Sequence, residues 1–504
     1  MSYPLHSPAF YSGDPFPAYR ELRATDPVHW NDEHGFWGLL KYEDVRYVST
    51  NPALFSSARG ITVPDPAIEN PVMEGSLIFT DPPRHRQLRK LINSGFTRRQ
   101  VAVLEPKLRT FARSALDAIN PTAGIEFAEQ IAAPLPTRMI AELLGAPDQD
   151  WEQFRRWSDA AVGMDDPEIE LDTFAAMGEL YQYFEGLIAL RRTGALNDAD
   201  DLLSVLVAAE VDEGLQRAGF IIVTGHGVDP DLAARVRAAS REFFALPTEV
   251  KQRYSVPVGG HGWIGPGAEA NAYAEGTETP PDLKESFSLG AETTTGDPEV
   301  DRIWFAPNVW PAEVAHLQAL VDEYTTAMRT LSDDLLALFA AALGLSENPF
   351  AALASTPTWT MNINHYPPVS VVGEPEPGQF RIGPHTDFGT VTVLDREPGA
   401  GGLQVYSEEA GWEDAPWEPG ALTVNIGDLL EYWSGRRWPS GRHRVLPPQP
   451  HAPEEDLVSL IYFYEANHDA LVTPLEPPIG RVAGLDPVTS ADFIKERLDA
   501  ITVG

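Results

Sequence analysis

The segment RIGPHTDFGT sets His385 and Asp387 two residues apart. On an extended backbone such residues leave the same face, so an imidazole and a carboxylate can meet one ion. His-x-Asp alone recurs by chance in a chain of this length, and a third ligand is needed. Downstream, GRHRV supplies His443, separated from the pair by enough chain for several strands to cross and return. Two imidazoles and one carboxylate on one face of an octahedral ion leave three positions open, which suits iron(II) that takes a co-substrate and O2. Zinc, four-coordinate with a single open position, is the competing metal. A hydrogen-bonded core histidine is the reading that needs no metal. A second polar face lies on Met361–Tyr366, where Asn362, Asn364 and Tyr366 alternate with Met361 and Ile363. That face either lines something wet or is an exposed strand surface.

The elements that must position these residues change character along the chain. From Thr358 onward the pattern is short strands between Gly and Pro turns, among them TWTMNINHY, TVTVL, GLQVY, ALTVNI and LVSLIYFY, which predicts a sandwich or barrel. Ahead of them GFIIVTGHG at 219–227 reads as a strand. A helix follows, with Leu232, Val236, Ala239 and Phe243 on one face. Gly276–Asp301, rich in Thr, Pro, Gly and acid, reads as a surface loop, and Val314–Leu345 as a long helical region broken near Ser332. The first two hundred residues read mainly as helix with short early strands. In Thr97–Ile119, a T-x-x-Q capping box precedes Val101, Leu104, Leu108, Phe111 and Ala115 at helical spacing.

With 504 residues the chain is expected to form at least two units. Hydrophobic residues at 43% and charged ones at 22% are ordinary for a soluble protein, and no stretch is apolar enough for a membrane span. The first residues lack the pattern of an export signal, so a cytoplasmic location is expected. Asp and Glu outnumber Lys and Arg 74 to 37, a formal charge of −37 that repels phosphate backbones and anionic lipid. Nucleic acid and membranes are therefore excluded as expected partners, leaving a small-molecule substrate. The chain has no cysteine, which removes disulfides, thiolate zinc sites and haem held by a cysteine.

GFIIVTGHGV, REFFALP, DLKESFSLG, APNVWP, NINHYPP, RIGPHTDFGTVTVL, GLQV, VNIGDLLEYWS and GRHRV, in that order over about 211–475, resemble the isopenicillin N synthase-like branch of the iron(II)/2-oxoglutarate-dependent dioxygenases. The resemblance implies a double-stranded β-helix (jelly-roll) core, Fe(II) held by His385, Asp387 and His443, and 2-oxoglutarate facing Asn364 and Tyr366. That family carries an Arg-x-Ser pair on a late strand, the arginine holding the distal carboxylate of 2-oxoglutarate. Here LVSLIYFY puts Leu457 at the arginine position and keeps Ser459. Arg444, Arg442 and Arg381 are the candidate replacements, with Arg444 taken here as the cofactor contact.

The amino-terminal half resembles a different family. DPFPAYRELRATDPVHW, ALFSS, FTDPPRHRQLRKLINSGFT and DDLLSVLVAAE look like the first part of a bacterial cytochrome P-450 monooxygenase. The pattern stops before the oxygen-activating helix and the cysteine loop, so no thiolate-ligated haem can form and haem is not expected. The expectation is thus a multidomain chain: a mainly α, truncated P-450-like domain over 1–210, then an α+β dioxygenase-like domain over 211–504. Three functions are open at this point. The first is an iron/2-oxoglutarate oxygenase hydroxylating, desaturating or cyclising a small metabolite of specialised metabolism. The second is an iron oxidase without 2-oxoglutarate, motivated by Leu457, and the third a non-catalytic binding protein.

Overall fold

The computed structural model of the chain describes residues 3–501 apart from 62–75, 95, 97, 121–123, 163–172, 193–200, 273–275, 277–278 and 346. It divides into two compact units, Met1–Leu187 with Asp200–Leu206, and Ile188–Ala199 with Val207–Gly504. No helix among the described residues is long and apolar enough to cross a membrane.

The first unit is mainly helical, with helices at Phe16–Thr25, Tyr42–Thr50, Arg84–Ser94, Arg98–Asp117, Pro134–Leu143 and Trp151–Val162. Strands β1 (Val28–Asn31) and β2 (Phe36–Leu39) form one antiparallel hairpin. Phe154, Trp157 and Ala160 recur at helical spacing on Trp151–Val162 and pack with Ala141, Ala146 and Ala176 in a small core. The Thr97 cap read from sequence lies outside the described residues.

The second unit holds the strands that matter for the site. They are β3 (Phe220–Val223), β4 (Trp263–Ile264), β5 (Glu285–Gly290), β6 (Trp359–Tyr366), β7 (Ile382–His385) and β8 (Val391–Asp395), followed by β9 (Leu403–Ser407), β10 (Gly411–Asp414), β11 (Leu422–Ile426), β12 (His443–Val445) and β13 (Leu457–Tyr464). Seven pair in the order β3-β11-β8-β13-β6-β5-β4 and four in the order β10-β9-β12-β7. Every one of these pairings is antiparallel, the two-sheet arrangement of a jelly roll.

Alternation along the strands sorts side chains between two destinations. Met361, Ile363, Val391, Val393, Val424, Ile426, Leu460 and Tyr462 join one core with Phe243, Leu335 and Phe339. The last three come from helices Pro230–Phe244 and His316–Ala342. Burying each such side chain contributes about 1.5–3 kcal/mol. The residues between them, among them Asn364, Tyr366, Thr392, Asn425 and Ser459, are buried on the opposite face. The helix Pro230–Phe244 starts where its periodicity predicts, because the Asp229 side chain accepts from the Asp231 amide at 2.9 Å and Pro230 occupies the first turn.

Two expectations fail. Gly276–Asp301 is not a surface loop throughout, since Glu285–Gly290 is a fully buried strand between β4 and β6. The Thr- and Gly-rich flanks masked the alternation of Ser286 and Ser288 with Phe287 and Leu289. The helix His316–Ala342 is also unbroken at Ser332, whose hydroxyl donates to the Met328 carbonyl at 2.8 Å and so is satisfied within the helix.

Glu285 anchors a buried charged network on the helix-facing side of β5. It accepts from Lys251 Nζ at 2.7 Å, Trp263 Nε1 at 2.8 Å and His365 Nδ1 at 3.0 Å, while His365 Nε2 meets Asp456 at 2.9 Å. Burial opposes charge on His365, but Glu285 and Asp456 outweigh it and hold its pKa above the ordinary 6.5. Burial likewise opposes charge on Glu285, yet its hydrogen bonds from His365 and Lys251 hold it below the ordinary 4.5. The histidine's contribution is complete below its unfolded pKa and is lost as pH rises through the elevated folded value; the glutamate's is lost as pH falls through its depressed one. Stability from this network is therefore greatest between 4.5 and 6.5. His365→Gln is expected to flatten the alkaline limb of a melting-temperature profile, and a variant that keeps the wild-type slope there would contradict the assignment.

Candidate metal centre

His385 is the last residue of β7 and His443 the first of β12, and the two are direct partners in the β7–β12 ladder. Strand register, rather than loop placement, brings the imidazoles together, with ring centroids 4.2 Å apart. Asp387 follows β7 by two residues and places Oδ1 3.8 Å from His385 Nε2. One ligand atom from each of the three lies within 4.8 Å of the others, and Asp387 and His443 are buried.

Hydrogen bonds on the far sides prepare each group. His385 Nδ1–H donates to the Gly383 carbonyl and His443 Nδ1–H to that of Gly441, each at 2.8 Å. Both Nε2 lone pairs are left toward the common centre. Asp387 Oδ2 accepts from Thr392 Oγ1 and Asn425 Nδ2, both at 2.7 Å, which leaves Oδ1 for an ion. Burial, then the neighbouring His385, pushes His443 down to about 4, so its imidazole is neutral. Burial alone would raise Asp387, but positive charge on the neighbouring histidines, when they carry it, and the Thr392 and Asn425 hydrogen bonds hold it below the ordinary carboxylate value. Neutral imidazoles and an ionised carboxylate are the states that ligate a metal. Gly441 belongs to the device: a Cβ there would lie 2.6 Å from the Phe220 ring, which stacks edge-on against His443.

Thr392 and Asn425 escaped sequence reading as site residues, although TVTVL and ALTVNI were recognised as strands. The signal was there in the polar residues alternating with valine and isoleucine. Asn425→Ala is expected to weaken iron(II) binding about 10- to 100-fold, measured by anaerobic equilibrium dialysis; wild-type affinity would show that the Asp387 carboxylate needs no such support.

The residues expected to face 2-oxoglutarate do not all come together. Tyr366, Ser459, Leu457 and Arg381 line one cavity of about 320 Å³. Asn364 lies beside it, its Nδ2 3.5 Å from the Tyr366 hydroxyl and its Oδ1 accepting from Ser286 at 2.8 Å. Burial pushes Tyr366 up to about 12, so the phenol stays protonated. Arg444 is elsewhere. Adjacent to inward-facing His443 on β12, it points the other way, donates to Gln404 Oε1 at 2.9 and 2.7 Å and stacks 4.2 Å from the Trp412 ring centroid. Arg442 likewise lies against Tyr406 and Trp412. The period-two alternation that puts His443 inside puts both arginines outside.

Near the triad lies a second polar group that the sequence reading did not single out. Asp282 Oδ1 accepts from the Gly383 amide at 3.1 Å and Oδ2 from Asn271 Nδ2 at 2.6 Å. Lys284, also buried, donates to Ser286 Oγ at 2.9 Å and pairs with Glu269.

Residues 188–313 match the family model for the non-haem dioxygenase in morphine synthesis N-terminal region, and residues 358–466 that for the 2OG-Fe(II) oxygenase superfamily. Validamycin A dioxygenase of Streptomyces hygroscopicus subsp. limoneus is 40% identical over 306 residues, 60% of this chain and 84% of that protein. Cytochrome P450 130 of Mycobacterium tuberculosis is 35% identical over 228 residues, 42% of this chain; the match spans only 56% of that protein. Among solved structures, a full-length Neurospora crassa protein in complex with alpha-KG and thymine has 27% identity and a TM-score of 0.52, covering 60% of this chain and 94% of that one.

Proposed function

Because the chain belongs to the 2OG-Fe(II) oxygenase superfamily, as an iron(II)- and 2-oxoglutarate-dependent dioxygenase, we propose that His385, Asp387 and His443 hold its iron and that it oxidises a small polar metabolite. The observation that carries this reading is the convergence of two imidazole nitrogens and one carboxylate oxygen within 4.8 Å, each side chain backed by a hydrogen bond on its far side. Two imidazoles and a carboxylate fit iron(II), with positions left for a chelating co-substrate and O2. When bound, iron with 2-oxoglutarate supplies the oxidising power for attack on a substrate C–H bond.

The chain's own residues orient and shield. Gly383, Gly441, Thr392 and Asn425 fix the ligands, and Tyr366 and Ser459 would face 2-oxoglutarate, with Asn364 beside the Tyr366 hydroxyl. Asp282, whose Oδ1 accepts from the Gly383 amide two residues before His385, puts a buried carboxylate beside the triad, which favours a substrate bearing hydroxyl or amino groups. Validamycin A dioxygenase as a relative supports a small-molecule substrate, and we take that substrate to be one of specialised metabolism. Hydroxylation is the simplest outcome, with desaturation and cyclisation as alternative fates of the same activated carbon. Kinship to dioxygenases supports this reading over the oxidase and binding-protein alternatives.

For the first unit, similarity to cytochrome P450 supports a P-450-like helical domain without P-450 chemistry. A chain with no cysteine cannot provide the thiolate that such chemistry requires. Anaerobic titration of the full chain with iron(II), then 2-oxoglutarate, tests the main reading. One equivalent of iron and a visible charge-transfer band are expected; iron without the band, or no iron, would sink it.

A further inference from the structure

Resting on the function just proposed, we infer that Arg381 carries out the task of the arginine missing at Leu457, gripping the distal carboxylate of 2-oxoglutarate from the opposite sheet. Arg381 immediately precedes β7, its amide extending that strand's ladder by donating to the Val445 carbonyl at 3.1 Å. It lies four residues before His385 in the same segment. Its side chain is completely buried, yet only one of its three nitrogens is engaged. Nη1 donates to the Gly401 carbonyl at 2.7 Å and to Glu455 Oε2 at 3.1 Å. Nε and Nη2 have no partner among the described residues.

Those two atoms form the side-on fork of a guanidinium, the edge that takes both oxygens of a carboxylate. The same edge holds Asp212 from Arg437, through Nε at 2.8 Å and Nη2 at 2.6 Å. Leaving a charged fork buried and unmatched is costly, whereas a bidentate carboxylate satisfies both N–H groups at once. The surroundings have the required shape. Arg381 shares the cavity of about 320 Å³ with Tyr366, Leu457 and Ser459, and its guanidinium carbon sits 5.7 Å from the Tyr366 ring centroid. Leu457 and Ser459 leave the same face of β13, so an arginine at 457 would project into this same space. Leucine there occupies less of it and packs against Tyr366 and Ile382. Glu455 is the positioning residue: its carboxylate accepts from the Gly401 amide at 3.1 Å and holds the far side of the guanidinium, turning the open fork away from itself.

Two 2-oxo acids that chelate iron identically test this. 2-Oxoglutarate carries the distal carboxylate, and 2-oxopentanoate replaces it with a methyl group. Dissociation constants are measured anaerobically on the iron(II)-loaded full chain by calorimetry. The wild type is expected to prefer 2-oxoglutarate by about 10- to 100-fold, the size of a charge-assisted carboxylate contact. Arg381→Gln collapses that preference by weakening 2-oxoglutarate alone, and adding Leu457→Arg to it restores part. Arg381→Lys, which keeps the charge paired with Glu455 but lacks the fork, gives an intermediate preference even if the glutamine variant fails to fold. A preference that survives Arg381→Gln or Arg381→Lys unchanged, or equal weakening of both acids, overturns the inference while leaving the triad standing. Failure of the wild type to bind iron overturns the function itself, and this inference with it.

Discussion

His443→Ala abolishes stoichiometric iron(II) binding and lowers turnover by more than the roughly 10- to 100-fold that follows loss of an outer-shell partner. His443 is buried, is kept neutral by that burial and stands directly across the ladder from His385. Without it, one imidazole and one carboxylate remain, too few to hold a labile ferrous ion while other positions exchange substrate and oxygen. Metal content after anaerobic loading, with turnover at saturating iron, measures the effect, and unchanged far-ultraviolet circular dichroism separates ligand loss from unfolding. A folded variant that retains one iron and wild-type turnover would remove His443 from the centre.

Glu285→Ala destabilises the second unit by about 3–5 kcal/mol, the range for breaking a buried ion pair from one side. The carboxylate is the shared acceptor for Lys251, Trp263 and His365. After its removal Lys251 keeps the Phe244 carbonyl at 3.0 Å as its hydrogen-bond acceptor among the described residues, and the buried Trp263 N–H loses Glu285 as its acceptor. Glu285→Gln, which preserves volume and one acceptor oxygen, should cost less. Chemical denaturation followed by tryptophan fluorescence reads both. A loss below about 1 kcal/mol in the alanine variant would place this network among ordinary surface pairs.

What the sequence disclosed followed from local periodicity. His385 and Asp387 are near in the chain, so their convergence needs only an extended backbone, and the strands and the helix Pro230–Phe244 show their alternation and period directly. His443 required a motif, because its partnership with His385 depends on a ladder between distant segments that no local pattern records. Strand β5 was hidden by averaging: the Thr, Pro, Gly and acid of 276–301 describe its flanks, while the six buried residues within carry a different pattern. On paper Arg381, Arg442 and Arg444 are all cations within reach of the site, and Arg444 is the expected contact. Alternation about His443 would have placed Arg442 and Arg444 outside. Only the folded chain shows that Arg381 is buried with an open fork.

The pairing of His443 with His385 at the end of a three-residue strand makes the centre a gauge of correct folding. Sliding β12 by a single residue would turn the imidazole outward and bring Arg444 inward, exchanging a neutral donor for a cation that repels any metal. Mispaired molecules would thus be unable to load, and iron stoichiometry in a preparation reports the fraction of chains whose sheets have zipped in the right frame.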